Sequence, residues 1–314
     1  MRLLVLGAGA IGGYFGGRLV ESGADVTFLV RPKRREQLRR DGLRVESALG
    51  NLRLKARTID TAELQPGYDF VLFTCKAYDL DSALDAIAPA MGHPGECAVL
   101  PLLNGLSHLE RLDKRFGARN VMGGTCQINA TVRKDGVIAH MDALQRLVFG
   151  ERDGTKSPRA QALGEVFAKT KFDWLLSDDI VQELWEKLTF LSALAATTCL
   201  FRGNVREIIA ASGGREAMER ALDANIAIAT AEGHPPRAQA IEFARKRLTD
   251  PAGTWSASML RDLEGGGAVE ADPIVGWMLD KARRHAIDDT VLALAYAHLK
   301  TYEARRAAAR LPAP

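Results

Sequence analysis

Three glycines in the run Gly7-Ala8-Gly9-Ala10-Ile11-Gly12 stand at the spacing that cradles a diphosphate. At such a turn Gly7 permits the tight bend, Gly9 lets backbone N–H groups approach a pyrophosphate, and Gly12 lets helix pack on strand. The phosphates then sit at a helix N-terminus, where free N–H groups and the helix dipole favour anions. NAD-binding turns usually carry an acid after the second strand for the ribose 2′-hydroxyl, whereas an arginine suits the 2′-phosphate of NADP. Here that position is Arg31, followed by Lys33, Arg34 and Arg35, with no carboxylate before Glu36. The cofactor expected from these residues is NADP, as NADPH.

A second group surrounds Lys187 in Glu183-Leu184-Trp185-Glu186-Lys187-Leu188. No charge follows Lys187 until after Phe201, so the segment reads as a largely buried helix with Lys187 on its margin. Spacing alone fits an ordinary i,i+4 pair between Glu183 and Lys187, worth a few tenths of a kcal/mol. A partly desolvated lysine can also give up its proton near neutral pH, and a ketone accepting hydride needs such a donor at its oxygen.

The elements that would position these groups follow from periodicity. Leu3 to Leu6 is a short apolar run ended by glycine, as expected of a buried parallel strand. Ile11, Phe15, Leu19 and Val20 fall at helical spacing, and Val26 to Val30 forms the next strand. Asp69–Thr74 predicts a strand leading into Cys75-Lys76, Asp79–Met91 a helix, and Ala98–Leu103 a strand delivering Asn104-Gly105. Val121-Met122 and Leu147–Phe149 read as further strands, with a turn at Asp135-Gly136. This alternation predicts a doubly wound parallel sheet of the Rossmann type over residues 1–174, with ligands at the carboxyl ends of its strands. An all-helical domain over 175–314 follows, with helices at 178–201, 215–231, 236–248, 256–263, 273–285 and 289–309. Gly265-Gly266-Gly267 follows no strand and reads as a hinge, and Leu311–Pro314 should fray.

Composition narrows the class. The 314 residues carry a formal net charge of only +3, which gives no reason to expect a nucleic-acid partner. The four cysteines show no CxxC spacing and the six histidines no ligand pairing, so neither a disulfide framework nor a metal is expected. The apolar start runs into the glycines without a cleavage pattern, and no apolar stretch reaches the length of a membrane span. These features predict a cytoplasmic protein.

Taken together and in order, the glycine motif, Cys75-Lys76-Ala77, Asn104-Gly105, Leu184-Trp185-x-Lys187-Leu188, Ser258-Met259-Leu260-x-Asp262 and Glu270 carry a more specific message. Over nearly its full length the chain resembles the ketopantoate reductase (2-dehydropantoate 2-reductase) family. That resemblance implies an NADPH-dependent reduction of a 2-keto acid to a 2-hydroxy acid, of which ketopantoate to pantoate in pantothenate biosynthesis is the family's case. It implies an active site in the cleft between the domains. By the same resemblance, Gly7, Ala8, Gly9, Ala10, Ile11 and Gly12 would hold the pyrophosphate and Arg31 the 2′-phosphate. Lys76 and Asn104 would lie at the nicotinamide end and Glu270 at the nicotinamide ribose. Lys187 would be the proton donor and Ser258 a contact to substrate.

The resemblance breaks at the substrate. Pantoate-forming members carry asparagines four and eight residues after the lysine, where this chain has Leu191 and Ala195. Another family asparagine is replaced by Val275 before Gly276, leaving Asn204 as a candidate polar contact. Leu191 and Ala195 share a helix face with Lys187 and are expected to line the pocket. A reductase of another ketone or imine, and a non-catalytic NADP-binding regulator, stand as the rival readings. The expected partner is a small 2-keto acid, and a homodimer is left open.

Overall fold

The computed structural model describes residues 1–92 and 95–311; the fraying expected of Pro312 to Pro314 falls outside them. The chain divides into two compact units, one of residues Met1–Leu103 and His108–Glu183, the other of Asn104–Ser107 and Leu184 onward.

In the first unit, β1 (Arg2–Leu6) leads through the glycine turn to α1 (Ala10–Glu21), then β2 (Asp25–Leu29) and α2 (Pro32–Asp41). Short strands β3 (Leu43–Glu46), β4 (Leu52–Leu54) and β5 (Arg57–Ile59) precede β6 (Phe70–Phe73), α3 (Leu80–Ile87), β7 (Ala98–Pro101) and α4 (Ser107–Phe116). The long hairpin β8 (Gly123–Val132) and β9 (Ile138–Gly150), then α5 (Pro158–Phe167) and β10 (Asp173–Leu176), complete it. One sheet has the order β5-β2-β1-β6-β7. Its strand pairs are all parallel. Leu3, Leu4, Val5, Val71 and Leu72 have no exposed surface, because strands covered on both faces are apolar throughout. The order reverses at β1, whose neighbours are β2 on one side and β6 on the other. A ligand crevice belongs at the carboxyl ends of β1 and β6.

The α/β class and the parallel sheet are as expected, but the later strands do not extend that sheet. They build a second one of order β10-β9-β3-β4, with β8 antiparallel to β9. Val121 makes only an isolated bridge to Val99, and the strand expected at Leu147–Phe149 is the end of the much longer β9. The helix α1 packs against both sheets, and its glycines show how. Side chains at Gly12 and Gly16 would strike Val5 and Phe28 of the first sheet. At Gly13 they would strike Ile138 of the second sheet, and at Gly17 they would crowd Leu43 at 3.1 Å. Two glycine pairs, each four residues apart, thus open two faces of one helix.

The second unit is helical. α6 (Ile180–Phe201) is followed by α7 (Val205–Ala210), α8 (Gly214–Ala231), α9 (Ala238–Leu248) and α10 (Ser258–Glu264). A π-helical turn at Asp272–Gly276 runs into α11 (Trp277–Arg284), and α12 (Thr290–Ala307) comes last. Leu188, Ala193, Ala195, Ala196 and Cys199 are buried, consistent with the uncharged stretch after Lys187. Asn225 of α8, itself fully buried, donates to the Thr189 carbonyl of α6 at 3.1 Å. The expected helices all appear; α7 is additional. β10 straddles the expected domain limit at residue 174, and the compact units divide at Glu183–Leu184.

Candidate active site

In the first unit the glycine turn is built as a cradle. Gly7 has φ +89° and its N–H donates to the Leu29 carbonyl at 2.8 Å, tying the turn to the end of β2. Thr74, just past β6, donates its hydroxyl to the Leu6 carbonyl at 2.7 Å, tying β6 to the end of β1. A Cβ on Gly12 would collide with the Gly7 carbonyl and the Thr74 hydroxyl, so the third glycine is required by packing. Gly9 caps α1 without any side-chain hydrogen bond, and the helix has no acid in its first turn. Its leading N–H groups therefore face outward at the positive end of the dipole, beside the exposed Gly9 and half-buried Ala10 and Ile11. Ala8 is buried. These features fit a diphosphate.

Arg31 is the residue from which α2 starts, and its side chain is 72% exposed. Its Nη2 donates to Asp79 Oδ1 at 2.8 Å, and this bond holds the guanidinium even above its usual pKa. The pair joins the end of β2 to the segment after β6. Lys76 is half-buried and starts the short turn Ala77–Asp79, its carbonyl accepting from Asp79 N at 2.9 Å. None of the four cysteines is in a disulfide, and burial pushes the thiols of Cys97 and Cys199 up to about 12. Among the described residues no three His, Cys, Asp or Glu meet as metal ligands would, and no helix is long and apolar enough to cross a membrane.

In the second unit Lys187 is half-buried, and its Nζ donates to Asn104 Oδ1 at 3.2 Å. The neighbouring Glu186 is held by Arg237 in a forked ion pair, Nε at 2.7 Å and Nη2 at 2.6 Å. Asn104 is fixed through its neighbour: Gly105 adopts φ +82°, and a Cβ there would lie 2.8 Å from the Pro273 carbonyl of the π-helical turn. That turn is pinned from α12, with Tyr296 donating to Asp272 at 2.7 Å and Lys300 at 3.0 Å. Lys300 and Tyr296 keep the Asp272 carboxyl below the usual carboxylate range although burial opposes them. π-Helical turns recur at functional sites, and this one follows directly on the buried Glu270. Ser258 opens α10 and is half-buried, behind Ala257, whose N–H donates to Thr198 Oγ1 of α6 at 3.4 Å.

The structure also gives the surroundings of the remaining expected substrate contacts. Ala195 has no exposed surface, and Leu191 is half-buried. Asn204 lies beyond the end of α6 at Phe201, itself about 21 Å along the axis from Lys187 at 1.5 Å per residue. Its Oδ1 accepts from Glu207 N at 3.0 Å while Glu207 Oε2 accepts from Asn204 N at 2.8 Å, a reciprocal cap that starts α7. The pattern Asn-x-x-Glu was the signal for that helix. Val275, like Ala195, is fully buried.

A glycine cradle at the switch point of a parallel sheet, and a lysine–amide pair on a helical unit, define a dinucleotide-binding protein with a second functional unit. Comparison with known families places it more closely. Residues 3–154 match the family described as ketopantoate reductase PanE/ApbA, and residues 179–303 match its C-terminal counterpart. The chain belongs to the ketopantoate reductase family and is an oxidoreductase acting on a CH–OH/C=O pair. It is similar to an uncharacterized oxidoreductase, YkpB, of Bacillus subtilis (strain 168), with 36% identity over 98% of this chain and 100% of that one. It is 28% identical to a 2-dehydropantoate 2-reductase of Halobacterium salinarum, over 91% of this chain and 94% of the relative. A crystal structure of 2-dehydropantoate 2-reductase from Methylococcus capsulatus superposes with a TM-score of 0.85 at 26% identity, covering 98% of both chains.

Proposed function

We propose that the protein reduces a 2-keto acid to the 2-hydroxy acid with NADPH. In this reading residues 1–174 form the NADP-binding domain and 175–314 carry the acid and the substrate contacts. The observation that carries it is the Lys187–Asn104 contact of 3.2 Å, an ammonium held by a neutral amide at the margin of a buried helix. Bound at the glycine turn, NADPH would supply the hydride. The protein's own work is to hold a proton at Lys187 Nζ for the carbonyl oxygen, where negative charge develops, and to recover it afterwards from solvent. Asn104 orients Nζ by accepting one of its protons. Gly7 to Gly12 and Arg31 would hold the phosphates, Lys76 and Glu270 the nicotinamide side, and Ser258 would hydrogen-bond the substrate.

Leu191 supports an apolar substrate side chain. One turn beyond Lys187, it presents an alkyl group where an amide would receive a hydroxyl, and leaving a buried hydroxyl unpaired costs about 1–3 kcal/mol. Ketopantoate, which carries a hydroxyl, is then expected to turn over less efficiently than keto acids with plain alkyl or aryl side chains. The test is loss of NADPH absorbance with a panel of 2-keto acids that includes ketopantoate. Turnover of alkyl keto acids in preference to ketopantoate is the expected result. Binding of NADPH without turnover of any carbonyl compound would favour the dinucleotide-binding regulator instead.

A further inference from the structure

Of the arginines on or near α2, four hold carboxylates. Arg31 pairs with Asp79, Arg35 with Asp60 and Glu63, Arg40 with Asp41, and Arg57 with Asp25. Arg34 is different. It points back from the first turn of α2 under the glycine turn, where its Nε donates to the Ala8 carbonyl at 3.1 Å. Its Nη1 donates to Gln37 Oε1 at 2.6 Å and to the Gly136 carbonyl at 3.0 Å. Its Nη2 is buried and has no partner among the described residues. All three acceptors are neutral, and the neighbouring charge that acts on it is the like charge of Arg44. Burial and Arg44 both pull the guanidinium below its usual pKa.

Its anchor on the other side is equally specific. Gly136, in the turn between β8 and β9, has φ +80°, and a Cβ there would fall on the Gln37 amide. Arg44 Nη2 donates to the preceding carbonyl, Asp135 O, at 2.7 Å. One guanidinium thus joins the glycine turn, α2 and the β8–β9 turn. It places a cation without a counter-charge directly beneath the backbone that receives the diphosphate. Such a charge is costly to keep half-buried and becomes favourable when an anion arrives.

We propose that Arg34 is a positioning residue for the cofactor, holding the glycine turn in register and supplying the positive charge that a dinucleotide's diphosphate neutralises. The proposal rests on the reading of the turn as a dinucleotide site. It separates the two arginines by task. Arg31 discriminates the 2′-phosphate, whereas Arg34 serves the diphosphate that NADPH and NADH share.

The experiment is calorimetric titration of parent, Arg34→Gln, Arg34→Lys and Arg31→Ala proteins with NADPH and with NADH, at low and high salt. Arg34→Gln is expected to weaken both dinucleotides by roughly 10- to 100-fold, the range of a lost charge-assisted contact, and to flatten the salt dependence. Arg31→Ala is expected to weaken NADPH alone. Arg34→Lys keeps the charge but cannot span Ala8 and Gly136, so it should fall between parent and Arg34→Gln for both. Parent-like affinity in a folded Arg34→Gln protein, with only its melting temperature lowered, would overturn the proposal. If that variant does not fold, parent-like affinity in Arg34→Lys for both dinucleotides overturns it equally. Failure of the parent itself to bind either dinucleotide would strike the dinucleotide reading, a result distinguishable from every outcome above.

Discussion

Lys187 and Arg31 are both cations, and their surroundings suit them to different work. Lys187 is half-buried and donates from Nζ to the Asn104 amide oxygen at 3.2 Å. Replacing it with alanine is expected to lower kcat by roughly 10²- to 10⁴-fold, the usual worth of a general acid, with NADPH affinity unchanged. Steady-state kinetics beside a binding titration check this, and near-parental kcat would reduce Lys187 to a helix-surface residue. Arg31 is exposed and engaged by Asp79. An exposed pair of this kind is worth at most about 1 kcal/mol, so a 2′-phosphate can compete for the guanidinium. Asp79→Asn should therefore tighten NADPH by about two- to fivefold, by freeing Arg31 and removing a negative charge near the phosphate, and leave NADH as it was. Weaker NADPH binding in Asp79→Asn would show instead that Asp79 holds Arg31 in its working pose. The sequence identifies both Lys187 and Asn104, yet their contact spans 83 positions of the chain and has no local signature.

Elements were legible in proportion to their length and apolar periodicity. α1, α6, α8 and α9 fall within about two residues of expectation because each carries a long stripe and a clear terminator. The strands β3, β4 and β5 are only three or four residues long, Leu-Arg-Val-Glu, Leu-Arg-Leu and Arg-Thr-Ile, too short for a period to emerge. The second sheet had a signal all the same: Gly12-Gly13 and Gly16-Gly17 relieve two faces of α1, and a helix against a single sheet needs only one. The helix α7 is the clearest lesson. Asn204, three residues before a glutamate, caps that helix. Asn204→Ala should then cost about 0.5–2 kcal/mol of stability in denaturant unfolding while kcat/KM stays at the parental value. A fall in kcat/KM without loss of stability would support the substrate role instead.

At the scale of the whole molecule, the family match runs through both units. A ligand that binds the folded protein alone stabilises it by RT ln(1 + [L]/Kd), which is about 2.7 kcal/mol at a hundredfold excess over Kd. The glycine turn belongs to a unit of fewer than two hundred residues, for which one kcal/mol moves the melting midpoint by about 2–4 °C. Scanning calorimetry at that excess of NADPH should raise the midpoint of this unit by roughly 5–10 °C. The same concentration of NADH should raise it less, since Arg31 gains nothing from a ribose hydroxyl of the size of its charge-assisted bond to phosphate. Arg31→Ala should bring the two dinucleotides to the same shift, and Lys187→Ala should leave both shifts as in the parent. A midpoint that does not move with NADPH would remove the dinucleotide from the reading altogether. Equal shifts with NADH and NADPH in the parent would keep the dinucleotide and remove the 2′-phosphate from Arg31.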